Sequence, residues 1–164
     1  MCGIVGIYLK TKKFENNLGK MLSGMLNNME SRGPDSAGFA IYKNSDRKEY
    51  KYSLCINNLD FSKFKKNISQ KIKNLKLNQY SDHVILKTTE KPKKFINLIN
   101  KEFPEISIVG YGHSIEIFKQ VGNPKDVVKK FNLKSFSGTH GIGHTRMATE
   151  SAITTDGSHP YSTG

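Results

Sequence analysis

The sequence predicts an α+β domain, and three observations carry that class. A strand-like run opens the chain, an amphipathic helix follows it, and short helical and strand-like patterns keep alternating along the remainder of the 164 residues. A chain of this length can bury one real hydrophobic core, and is too short to promise two. One domain over 1–164 with a long insertion at about 44–135 is the expected organisation.

The first element is a strand over 2–10, where Ile4, Val5, Ile7 and Leu9 supply apolar and β-branched side chains. Gly3 and Gly6 interrupt it, and a glycine inside a strand marks a place where a ligand or another backbone comes close. A helix is predicted over 14–31, because Leu18, Met21, Leu22, Met25, Leu26 and Met29 recur on one face. Its methionines read as core filling rather than as a cofactor box. Arg32-Gly33-Pro34-Asp35 stops the helix and turns the chain, and a strand returns over 38–42.

From about residue 44 to 135 the chain is polar and lysine-rich. Strands are expected over 84–86 and 106–109, and helices over 61–72, 92–103 and 124–131, the last two with Pro in the first turn. The closing stretch, 137–164, is rich in Gly, Ser and Thr and holds His140, His144 and His159, three of the five histidines. Within it, residues 141–149 read as a short strand ending in a polar turn.

The formal net charge of +12 raises nucleic-acid binding as a function, since clustered Lys and Arg neutralise phosphates. The pattern argues against it. Arg32, Arg47 and Arg146 are the arginines among 26 basic residues, whereas bidentate readout of phosphates and guanines favours Arg, and the lysines are scattered among Asn and Ile as on a solvated surface. No apolar run approaches the roughly 18 residues of a membrane span. Two cysteines do not make a disulfide scaffold, and a reducing cytoplasm is the expected compartment.

Cys2 is the residue with the most chemistry. If Met1 is trimmed, Cys2 carries a thiol, with a reference pKa of about 8.5, and an α-amine of about 7.7 to 8.0 that can take the thiol proton. The competing reading is an ordinary buried cysteine opening a strand. Arg146 offers a rigid fork for a carboxylate, with the Thr149 hydroxyl three residues on; in isolation it reads equally as half of a structural ion pair. His144, beside glycines in a strand, reads as a satisfied packing residue before a general base. A metal site is not expected, because His140, His144 and His159 lack thiolate or carboxylate companions at ligand spacing.

Three motifs stand in a telling order: Met1-Cys2-Gly3-Ile4-Val5-Gly6, then Ser31-Arg32-Gly33-Pro34-Asp35-Ser36-Ala37-Gly38, then Gly143-His144-Thr145-Arg146-Met147-Ala148-Thr149 followed by His159-Pro160. Together they resemble the class II glutamine amidotransferases. The resemblance covers about 1–42 and 137–164. It implies the N-terminal nucleophile fold, a four-layer αββα sandwich of two antiparallel sheets between helix layers. It also implies release of ammonia from glutamine, with Cys2 as the nucleophile that forms a γ-glutamyl thioester. Arg146 would clamp the substrate α-carboxylate with Thr149 nearby, Met147 would stand in the pocket wall where many relatives have an aromatic residue, and Arg32, Gly33 and Asp35 would buttress the nucleophile, with His144 supporting.

The closing motif and the long insertion most resemble glutamate-synthase-related amidotransferase subunits, those of N-methylglutamate synthase among them. This implies no cofactor in this chain, a flavin in a separate synthase subunit, and that subunit as the partner receiving ammonia. Family members continue past the His-Pro segment into an Asn-Gly oxyanion pair and an Asp for the substrate amine, so this chain is expected to be part of a longer protein. A non-catalytic assembly module and a basic nucleic-acid-binding domain are the other function classes left open.

Overall fold

The computed structural model describes residues 2–45, 47–148, 154–155 and 157–162. It is α+β, with two four-stranded sheets and four α-helices among the described residues, a composition compatible with a sandwich. Contacts divide it into two compact units, Met1–Asn44 with Ile117–Tyr161, and Ser45–Glu116 with Ser162–Gly164.

The first unit begins with β1 (Gly3–Tyr8), a 3₁₀ turn (Lys12–Asn17), α1 (Leu18–Asn27), a second 3₁₀ turn (Glu30–Arg32) and β2 (Ser36–Tyr42). β7 (Ile115–Val121), α4 (Pro124–Lys130), a 3₁₀ turn (Leu133–Ser135) and β8 (His140–Arg146) complete it, β7 from Ile117 onward. Its sheet runs β1-β8-β2-β7, and β8 is antiparallel to both neighbours, with Gly3 opposite Thr145 and Ser36 opposite Arg146.

The helix expected over 14–31 is shorter and broken. Asn16, Asn17, Asn27 and Asn28 bracket the α-helical stretch, and Asn competes for backbone hydrogen bonds. Beyond it the chain tightens, Met29 donating to Leu26 O at 3.0 Å and Arg32 to Met29 O at 2.9 Å. The buried stripe is Leu18, Leu22 and Leu26; Met21 is exposed and Met25 half-buried, so leucines rather than methionines fill this core. α1 covers the β8 face of Gly141 and Gly143, where a β-carbon would meet Leu22 and Leu26 side chains. Phe39 stacks on Phe118 at 5.1 Å, with Phe131 and Phe136 edge-on around them.

The second unit holds β3 (Tyr50–Cys55), α2 (Phe61–Lys71), β4 (Lys76–Tyr80), β5 (His83–Thr88), α3 (Pro92–Glu102) and β6 (Ser107–Gly112), with strand order β4-β5-β3-β6. Asp60 caps α2 by accepting from Lys63 N at 2.7 Å, and Pro92 starts α3. Tyr52, Leu54, Ile56, Val84 and Leu86 on one sheet face pack with Phe64, Ile68, Phe95 and Ile99 of the helices, Tyr52 and Phe95 stacking at 3.8 Å. The lysine-rich stretch of 44–135 is therefore shared: Ser45–Glu116 builds its own sheet and core, whereas the rest of β7, α4 and the turn after it belong to the first unit.

Candidate active site

β1, β8 and β2 bring the chain's separated motifs to one end of one sheet. The β1/β8 register pairs Gly3 with Thr145, so one step back sets Cys2 beside Arg146. Side chains alternate between faces along a strand. Cys2, Ile4 and Tyr8 therefore share a face with Arg146, His144 and Ile142, opposite the face that α1 covers. Cys2 is exposed on it.

The Arg32–Asp35 turn grips the backbone of Arg146. Asp35 N donates to Arg146 O at 3.1 Å, and the Asp35 carboxylate accepts from Ala148 N at 2.8 Å. Gly33 lies flat on the same strand: a β-carbon there would sit 2.6 Å from Arg146 N and 2.7 Å from Thr145 C, so only glycine fits. Arg32 packs against Gly3, the residue after Cys2. A β-carbon on Gly3 would lie 3.2 Å from Arg32 Cβ and 3.2 Å from Met29 Sδ, which explains a glycine directly after Cys2.

The Arg146 guanidinium donates through Nη1 to Gly157 O at 2.7 Å, one of the five N–H groups of its fork. Met147 is 40% exposed next to it. Thr149 lies outside the described residues.

His144 is buried, as a packing residue should be, and its ring meets that of His159 at 4.3 Å. It is not satisfied, because Nδ1 of each ring is buried without a hydrogen-bond partner among the described residues. Burial, then the His159 ring and the Arg146 guanidinium, push the His144 imidazole down to about 4. Burial, Arg146 and Lys119 lower His159 as well. Both imidazoles are thus neutral at pH 7, and His144 is too weak a base there to take a thiol proton. Lys119, on β7, is buried, with Nζ 4.9 Å from the centre of the Tyr161 ring, whose hydroxyl donates to Gly157 O at 2.9 Å. Arg146 and Lys119 thus stand close to two neutral histidines.

The sequence readings missed Lys119 and the His144–His159 pairing. A lysine directly after Ile117 and Phe118 was the available signal for the first; the second joins residues fifteen positions apart and has none.

No protein-family model matches the chain. It is 42% identical over 167 residues to the glutamine amidotransferase-like protein GlxB of Rhizobium meliloti, covering 100% of this chain and 56% of that protein. It is 30% identical over 174 residues to a putative glutamine amidotransferase of Methanothermobacter thermautotrophicus, covering 98% and 56% respectively. The chain spans about half the length of these curated relatives. Both relatives are named as glutamine amidotransferases or as similar to them. Among the described residues, no helix is long and apolar enough to cross a membrane.

Proposed function

We propose that this chain carries the glutaminase half of a class II, N-terminal-nucleophile amidotransferase. One observation supports it above the others: an exposed thiol at the head of β1 shares a sheet end and a face with Arg146, whose backbone the Arg32–Asp35 turn holds on the other side.

In this reading Met1 is removed and the Cys2 α-amine takes the thiol proton. The thiolate attacks the side-chain amide carbon of glutamine. The amide nitrogen accepts a proton from the ammonium and leaves as ammonia, so that a γ-glutamyl thioester remains. Water, deprotonated by the same amine, attacks the thioester; glutamate departs and the thiol is restored. Arg146 holds the substrate α-carboxylate with Thr149, and Met147 forms the pocket wall. His144 and His159 stay neutral and pack beneath. The ammonia passes to a synthase partner of the glutamate-synthase-related kind, where a flavin resides, in the cytoplasm.

The test is treatment of the full-length protein with a glutamine-like electrophile, followed by intact mass and peptide mapping. Labelling at Cys2 on a chain lacking Met1, blocked by glutamine, is expected. Retained Met1, or preferential labelling of Cys55, overturns the reading. Cys2→Ser should abolish glutamine-dependent synthesis with the partner while ammonia-dependent synthesis persists; equal loss of both makes Cys2 structural.

A further inference from the structure

Away from this site, the second unit gathers a thiol, an imidazole and a carboxylate at one end of its sheet. β3 ends on Cys55, which pairs directly with His83, the first residue of β5. Cross-strand partners point to the same face. The β4–β5 hairpin turns through Ser81 and Asp82, Ser81 adopting φ +55°, and Ile56 N donates to Asp82 O at 2.8 Å, which fastens the turn to the end of β3. Cys55 Sγ, an Asp82 carboxylate oxygen and a His83 ring nitrogen all lie within 4.8 Å of one another.

We propose that Cys55, Asp82 and His83 bind a borderline-soft divalent cation, zinc in the first instance, and that the ion staples the β4–β5 hairpin to β3. The donor set decides the metal class. One sulfur, one nitrogen and one oxygen suit zinc, whereas magnesium and calcium want oxygens alone. Zinc ligands at about 2.0 to 2.3 Å stand roughly 3.3 to 3.6 Å apart around a tetrahedron, so side-chain adjustments of about 1 Å close the site. His83 Nδ1 and Asp82 Oδ1 already stand 2.9 Å apart and need only open slightly around an ion.

Cys55 and His83 are buried, and Asp82, its side chain 23% exposed, gives the ion its entry and a solvent-facing fourth position. Before an ion binds, Asn57, at φ +49°, accepts from the Cys55 thiol at 3.3 Å and donates to Glu105 O at 3.1 Å, which places the sulfur at this end of the sheet; the metal takes over from the first of these bonds. On binding, the metal–sulfur bond replaces the sulfur–hydrogen bond and the thiol proton leaves to buffer. This inference does not depend on the amidotransferase reading.

Cobalt(II) titration of the full chain tests it, because a cobalt–thiolate bond gives a charge-transfer absorption that oxygen and nitrogen ligands do not. One equivalent of cobalt should produce that band, and zinc should displace it and raise the melting temperature. The band should survive Cys2→Ser and vanish in Cys55→Ser. Should Cys55→Ser fail to fold, Asp82→Asn serves: it alters a partly exposed turn and should weaken cobalt binding beyond the roughly 10- to 100-fold typical of losing an outer partner. No cobalt binding, a band that disappears with Cys2 rather than Cys55, or full affinity in a folded Asp82→Asn protein would each overturn the proposal.

Discussion

Acid should loosen this protein through His144. The ring is buried against His159, with the Arg146 cation close by, and these hold its imidazole at about 4 against an ordinary value of 6.5. The native state therefore favours the neutral ring. Between pH 6.5 and 4 the unfolded chain binds a proton that the folded one refuses, so stability is full above 6.5 and is lost as pH falls through that window. The whole gap is worth about 3 kcal/mol, at about 1.36 kcal/mol per pH unit, and about 2 kcal/mol of it is lost between pH 7 and 5. Urea unfolding of the full-length protein and of His144→Gln, each at pH 7 and pH 5, reads this as a difference of differences. The variant starts from its own stability at pH 7 but should lose about 2 kcal/mol less on acidification. His159, lowered for similar reasons, leaves part of the acid sensitivity in the variant. Parallel losses in the two proteins would refute the assignment, and would mean that the His144 pocket admits solvent.

Arg146→Lys should keep the charge yet lose about 1.5 to 3 kcal/mol of transition-state binding, on the order of 10- to 150-fold in kcat/KM for glutamine, because an ammonium cannot make two parallel hydrogen bonds to a carboxylate. Steady-state kinetics decide it; unchanged kinetics with a lowered Tm would make Arg146 structural. Gly33→Ala places a methyl group against backbone atoms at 2.6 and 2.7 Å and should destabilise by about 1 to 3 kcal/mol, measured by denaturant unfolding. Lys51 and Glu116 pair at 2.9 Å in a buried setting, so Lys51→Met should remove about 3 to 5 kcal/mol whereas Lys51→Met with Glu116→Leu restores most of it; an unfolding series in which the double variant is no better than the single contradicts this.

The legible parts of the fold were those whose pattern is local. β1, β2, β5, β6 and β8 carry runs of apolar residues, α3 and α4 announce themselves by Pro, and the Arg32–Asp35 turn by Gly and Pro. β3 was missed because two of its six residues are polar and nonetheless buried. Lys51 and Ser53 lie inside, and Lys51 finds Glu116 sixty-five positions away. β7 hid for the same reason, its apolar pattern broken by Glu116, Lys119 and Gln120, the first two of them buried. A lysine-rich composition makes each lysine look solvated, and nothing local distinguishes the few that are paired. The candidate site was legible as motifs, because a turn and a strand end each have their own signature. That the Arg32–Asp35 turn holds the Arg146 backbone depends on the β2/β8 register, which no local pattern reports.

That distinction separates anchor from clamp. The turn fastens Arg146 through its main chain, Asp35 to its carbonyl and Gly33 against its nitrogen, while the guanidinium is steered separately by the Gly157 carbonyl. Changing the side chain therefore leaves the anchor whole, and changing Gly33 acts on the strand end while the Arg146 side chain itself stays the same. If the anchor matters only for folding, Gly33→Ala lowers stability and leaves the glutamine KM alone in the folded fraction. If it also sets where the fork stands relative to Cys2, KM rises with the loss of stability, since a shift of about 1 Å is enough to spoil a bidentate pair. A single register ties Cys2, Thr145 and Arg146 together through Gly3, so the proposed glutaminase site predicts the second outcome.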